Sequence, residues 1–164
     1  WSHSALSTSR KIAIFDACVV SKLLYALYTA CLNQAERRRI DGFHARCLRT
    51  ILKVAPSYYS RVPNKVVHQR ARSKPATARL LQQQLLYFGK VARRDGGDPV
   101  RASILEPGSL KRRELTSVRR VGRPRLEWAT EIRKHALNAA GSEEDLTILL
   151  KPWQWRRRVK SYVE

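Results

Sequence analysis

The residues of this chain with the clearest chemical capacity are its arginines. The stretch "QAERRRIDGFHARCLRTIL", residues 34–52, sets Arg37, Arg38, Arg39, Arg46 and Arg49 at helical spacing against only Glu36 and Asp41. Guanidinium groups at that density bind phosphate oxygens in bidentate pairs and stack on planar bases. The same chemistry recurs at Arg61 beside Tyr58 and Tyr59, at Arg93 and Arg94, and in the cluster Lys111, Arg112 and Arg113. It recurs once more in "RRVGRPRLEW", residues 119–128, which carries Arg119, Arg120, Arg123 and Arg125. Tyr58 and Tyr59 lie in a proline-bounded connection, where they can serve as a base-stacking platform or as ordinary packing.

Catalysis needs a constellation that the sequence does not offer. Gly-x-Gly-x-x-Gly and the phosphate-loop pattern are both missing. Glu143, Glu144 and Asp145 read as first-turn helix charges rather than an acid–base pair. The four histidines are dispersed, and His135 reads as a core-edge residue. His44 and Cys47 have the i, i+3 spacing of a metal pair, but no second Cys/His pair lies nearby. The expectation is a protein without metal or cofactor and without catalytic activity of its own.

Charge sets the class of partner. The 164 residues hold 33 Lys and Arg against 13 Asp and Glu, a net charge of +20, so a polyanion is the natural counterpart. The excess is spread along the chain and thins only over residues 135–164, which carry five basic and four acidic groups. A spread field suits a phosphate-tracking surface better than a basic tail does. The three cysteines, Cys18, Cys31 and Cys47, fall at apolar helical positions and read as reduced core thiols. No apolar run reaches membrane-spanning length, and no membrane partner is expected. With no methionine and a start at Trp1, the sequence reads as a processed or partial piece of a longer chain.

These side chains need helices to position them, and the apolar periodicity predicts helices throughout. Ile12, Phe15, Val19, Leu23 and Leu27 predict a long helix over 8–32. Asn33 and Glu36 form a capping-box pattern ahead of a second helix over 34–53, with Ile40, Phe43, Cys47, Leu48, Ile51 and Leu52 inward. A short helix follows Pro63. Pro75 opens another over 75–94 along Leu81, Leu85, Phe88 and Ala92, and Asp98–Pro99 cap a short one through Leu105. Residues 106–121 read as a long basic loop. A helix over 124–140 points Trp128, Ile132, His135 and Ala139 inward and ends at Gly141. Ser142 and Asp145 cap a short "DLTILL" helix, and a last helix after Pro152 aligns Trp155, Val159 and Tyr162. No alternating strand run appears.

The order of motifs resembles the C-terminal part of reverse transcriptases from non-LTR (LINE-type) retrotransposons, downstream of the catalytic palm. The matching stretches are "SKLLYALYTACL", "FHARCLRTIL", "YSRVPN", "LLYFGKVARR" and "GRPRLEW", across residues 11–155. Ala26 stands where that family often has Gly, and Lys90 where it often has His. The palm's adjacent aspartates are absent, as is the Cys/His knuckle of some relatives. The resemblance implies a thumb and downstream helical region that grips template and primer without copying. "GRP" is also the core of the minor-groove AT-hook, but Val121 replaces the usual Arg before Gly122. A helix start at Pro124, with the flanking arginines toward phosphate, is the favoured reading.

The combined expectation is an all-α, irregular bundle of about six to eight helices. It divides into a thumb-like module over 1–105, a basic linker over 106–121 and a small helical unit over 122–164. The expected partner is nucleic acid, RNA first and DNA second. A recruited RNA-binding subunit of a large ribonucleoprotein, such as an organellar ribosome, is the second reading. Localisation follows from the choice: the nucleus for a retrotransposon product, the mitochondrial matrix for a recruited subunit.

Overall fold

A computed structural model of the chain describes residues 5–113 and 127–163. Among them the regular structure is helical: α1 (Thr8–Phe15), α2 (Ser21–Leu24), α3 (Gln34–Ile51), α4 (Ser57–Ser60), α5 (Asn64–Ala71), α6 (Ala76–Ala92), α7 (Pro99–Ile104), α8 (Trp128–Ala140) and α9 (Pro152–Val163). A π-turn (Asp16–Val20) joins α1 to α2, and 3-10 turns cover Leu27–Thr29 and Glu144–Leu150. The protein is all-α. It divides into two compact units: Trp1–Tyr28 with Leu32–Leu80, and Thr29–Cys31 with Leu81–Glu164. The division falls inside α6, earlier in the chain than the expected module boundary at 105.

In the first unit the expected 8–32 helix is interrupted twice. The π-turn inserts one residue, so the buried stripe runs Phe15, Val20, Leu24, while Ile12, Val19, Leu23 and Leu27 are only partly covered. The five-residue step from Phe15 to Val20 is the π period, which no α-helical reading of the stripe anticipates. Cys18 rotates outward with it and is exposed, contrary to the core position expected for it. The helix then stops at Tyr25, and Ala26 takes φ 61°, a left-handed conformation that suits glycine.

α3 begins where the capping box places it: Asn33 Oδ1 accepts the Glu36 N–H at 2.9 Å, and Glu36 Oε2 accepts the Asn33 N–H at 2.7 Å. Its inward face carries Leu48 and Ile51 as expected, and also Ala45 and His44; Phe43, expected inside, is exposed. Leu48 and Ile51 join Phe15, Val20, Leu24, Val67, Ala71, Ala76 and Leu80 in one core. Polar ties fix its edges. Asp41 accepts from the Thr77 N–H at 3.0 Å and the Thr77 hydroxyl at 2.6 Å, and Arg79 pairs with Asp16 at 2.7 Å.

In the second unit α6 supplies Leu85, Phe88 and Ala92 to a core with Leu105, Ile132, Ala136, Leu146, Leu149, Trp155 and Val159. Gln84, also buried, donates to the Ala30 carbonyl at 3.1 Å and so attaches 29–31 to this unit. Asp98 caps α7 by accepting from Val100 and Arg101 N–H groups. Gly141, at φ 110°, ends α8, and Ser142 Oγ accepts the Asp145 N–H at 3.1 Å.

The expected long basic loop is not what its described part forms. Residues 104–113 fold back on α7: Glu106 N–H donates to Lys111 O and Arg113 N–H to Ile104 O, both at 3.0 Å, around an isolated antiparallel bridge of Leu105 with Arg112. Pro107 and Gly108 (φ 69°) make the reversal, proline and positive-φ glycine in the order a type II turn requires. α8 starts at Trp128 with Glu127 as its N-cap, and the helix start expected at Pro124 lies outside the described residues. The "GRP" motif, with Arg119, Arg120, Arg123 and Arg125, lies outside the described residues.

Candidate nucleic-acid interface

α3 carries the densest set of expected phosphate ligands, and its carboxylates decide how free they are. Glu36 spends its side chain on the Asn33 N–H, and Asp41 spends both oxygens on Thr77. Among the described residues neither forms an ion pair with the arginines of the helix. Arg38, Arg39 and Arg46 are exposed. Arg37 is half-buried and donates through Nε to the Leu32 carbonyl at 3.2 Å. The capping box already occupies part of the helix N-terminus, which leaves the side chains rather than the helix end to meet an anion.

Arg49 departs from the expected surface role. It is 5 % exposed, and its guanidinium donates to four neutral acceptors. Nη1 reaches Ala55 O at 3.1 Å and Ser60 Oγ at 3.4 Å; Nη2 reaches Val62 O at 2.6 Å and Asn64 Oδ1 at 2.9 Å. Three belong to the connection from α3 to α5 and the fourth, Asn64, opens α5, so Arg49 is the internal clamp of that connection. The planar fork of arginine makes this possible, and it takes the charge away from any external phosphate.

The clamped segment presents Arg61 and the two tyrosines. α4 is a single turn, closed by Arg61 at φ 55° with its N–H on Ser57 O at 3.0 Å. Tyr58 and Tyr59 are 74 % and 77 % exposed, with ring centroids 5.3 Å apart and planes at 84°. The Arg61 guanidinium carbon stands 5.7 Å from the centre of the Tyr58 ring, a cation–π distance.

The expected ligands of the second unit are more often engaged. Arg93 is half-buried and donates to Leu149 O at 2.6 Å; burial, and then neighbouring Arg156, push its pKa down. Arg94 pairs with Asp98 at 3.2 Å. The backbone N–H of Arg101 first, and then Arg94, hold the Asp98 carboxyl below its usual range. Arg112 pairs with Glu127 at 3.0 Å, and Arg113 donates to Ala102 O at 2.8 Å. Lys111 is exposed. Arg112, Arg113, Glu127, Tyr87 and Trp128 are among the residues around a cavity of about 400 Å3. Arg156, Arg157 and Arg158, absent from the expected set, are exposed on α9; the run "WRRR" is their signal in the sequence.

Beneath α3 lies an unusual histidine. His44 is fully buried, stacked on Phe15 (centroids 5.6 Å apart) and on His68 (5.3 Å), and neither ring nitrogen has a hydrogen-bond partner. Burial first, and then His68 and Arg79, lower its pKa to about 4, against the opposing pull of Asp16 and Asp41. His68 is lowered as well, chiefly by burial. Burial also pushes up the Cys47 thiol, one turn on. Among the described residues no group of three or more His, Cys, Asp or Glu side chains gathers to hold a metal ion, and no helix is long and apolar enough to cross a membrane. No family model, curated protein or solved structure matches the chain.

Proposed function

We propose that the protein is a non-catalytic nucleic-acid-binding module, derived from the thumb and downstream helices of a LINE-type reverse transcriptase, that holds RNA or an RNA/DNA hybrid through its phosphates. The observation that carries this reading is the exposed arginine face of α3, left without an ion-pair partner while Glu36 and Asp41 hydrogen-bond elsewhere. An exposed, unpaired cationic face on a chain of net charge +20 gains most from a polyanion, by releasing that polyanion's condensed counterions. One position singled out by the resemblance, and one glycine inside a matching stretch, also have physical explanations. Ala26 stands at a positive φ that glycine would hold without strain, and Gly89 of "LLYFGKVARR" lies where a side chain would collide with Trp155.

The test is equilibrium binding of single-stranded RNA over a salt series. Contacts from Arg38, Arg39 and Arg46 alone imply a slope of log K on log salt of about −2. A slope near zero overturns the reading. Polymerase or nuclease turnover with magnesium or manganese that responds to substitution in this chain would overturn the non-catalytic part.

A further inference from the structure

We propose that Tyr58, Tyr59 and Arg61 form a preorganised stacking platform for unpaired nucleobases, so that the first unit favours single-stranded over fully paired nucleic acid. The proposal rests on the nucleic-acid reading above and deepens it by naming the form of the ligand.

Three observations converge on α4. Two aromatic rings stand mostly in solvent on one turn of helix, nearly perpendicular to each other, so that they offer a ring face and a ring edge. Tyrosine suits this place because its phenol tolerates water while its ring offers a flat apolar surface. Beside them Arg61 supplies a planar cation that can stack on a base or meet the adjoining phosphate.

The second observation is rigidity. Solvent-exposed connections between helices are commonly mobile. Arg49 nevertheless fixes Ala55, Ser60, Val62 and Asn64, and Ser60 Oγ donates in turn to Ala55 O at 3.0 Å. The segment carrying the tyrosines is therefore ordered before any ligand arrives, which removes a large part of the entropic cost of binding.

The third is charge. No Asp or Glu occurs anywhere between Asp41 and Asp95, so α4 lies within a carboxylate-free stretch that includes exposed Arg46, Lys53, Arg61, Lys65, Arg70 and Arg72. A partner that offers flat aromatic surfaces and regularly spaced negative charge satisfies both features, and unpaired nucleic acid has both. In a duplex the bases are already stacked on each other, and only the phosphates remain to be bound.

Three labelled probes of equal length test this by fluorescence anisotropy at one salt concentration: single-stranded oligouridylate, an abasic oligonucleotide with the same phosphates, and a blunt RNA duplex. The double variant Tyr58→Ala, Tyr59→Ala is expected to weaken the oligouridylate about tenfold or more and to leave the other two within about twofold. The double variant to Phe keeps the rings and is expected to retain the wild-type preference. Circular dichroism checks the fold, and the exposure of both side chains predicts no change. Unaltered oligouridylate affinity, or an equal loss on the abasic probe, overturns the platform while phosphate binding stands. Wild-type protein that binds none of the three probes overturns the nucleic-acid reading itself.

Discussion

Gly89 of α6 lies so close to the Trp155 indole that a Cβ on it would stand 2.5 Å from Cδ1 and 2.6 Å from Nε1. The indole is almost wholly buried, and its N–H donates to the Leu85 carbonyl at 2.9 Å. That bond brings the Cδ1–Nε1 edge of the ring against the helix, and only a residue without a side chain leaves it room. Replacing Gly89 by Ala gains about 1 kcal/mol in helix propensity. It displaces the indole from its bond and its packing, a loss of about 2–4 kcal/mol, so net destabilisation is expected. Urea titration of the second unit's transition, read by tryptophan fluorescence, measures it.

Ala26 gives the opposite sign. At φ 61° its Cβ is strained, and glycine relieves that strain at a position already outside the helix. Ala26→Gly is expected to stabilise the first unit by about 0.5–1 kcal/mol after the entropy it adds to the unfolded chain. A lower thermal midpoint for this variant would show that the backbone there is not left-handed in solution.

His44 makes the first unit sensitive to acid. Its pKa is about 4 when folded and 6.5 in the unfolded chain. The unfolded state therefore binds the proton first, and stability falls as pH drops from about 6.5 toward 4, then levels off. The full loss is about 3 kcal/mol, to which His68 adds in the same direction. Among the charged groups near the ring, Arg79 also favours the neutral form, whereas Asp16 and Asp41 oppose it. The variant His44→Phe keeps a ring between Phe15 and His68 and should flatten the pH dependence of the urea midpoint over this window. An unchanged slope would place the proton elsewhere.

On α3 the arginines divide by role. Replacing Arg38, Arg39 and Arg46 by Gln is expected to reduce the magnitude of the salt slope by about 2 and to leave the fold intact. Arg49→Gln should do the reverse: it removes the guanidinium's four hydrogen bonds and costs about 2–4 kcal/mol of stability, with little change in slope. Replacing Lys111, Arg112 and Arg113 should weaken binding less than the α3 triple change. Arg112 and Arg113 already hold Glu127 and the Ala102 carbonyl. A larger loss from that cluster would mean that α3 presents only a solvated face.

The capping box at Asn33, the proline-led helices and the Gly141 stop were all legible because each depends on residues within a few positions of one another. The helix class followed from the same local periodicity. The π-turn was not legible, since "DACVV" carries no breaker and only packing shows the shifted stripe. Nor was the burial of Arg49, whose acceptors lie six to fifteen residues on and are mostly backbone carbonyls with no sequence signature. The Pro107–Gly108 reversal is readable from its dipeptide, although the charge beside it suggests a basic loop. For the interface, the sequence showed how many arginines there are; only the structure separates exposed from committed ones.

The π-turn has a consequence for how this chain tolerates changes in length. An ordinary helix that loses one residue rotates everything beyond the gap by about 100°, which carries a buried stripe out to solvent. Between Asp16 and Val20 the chain already holds one residue more than the α period needs. Deleting Ala17 or Cys18 would bring Phe15, Val20 and Leu24 to regular four-residue steps with all three still facing the same core. Here, unlike in the middle of α3 or α6, the loss of a single codon costs the protein little.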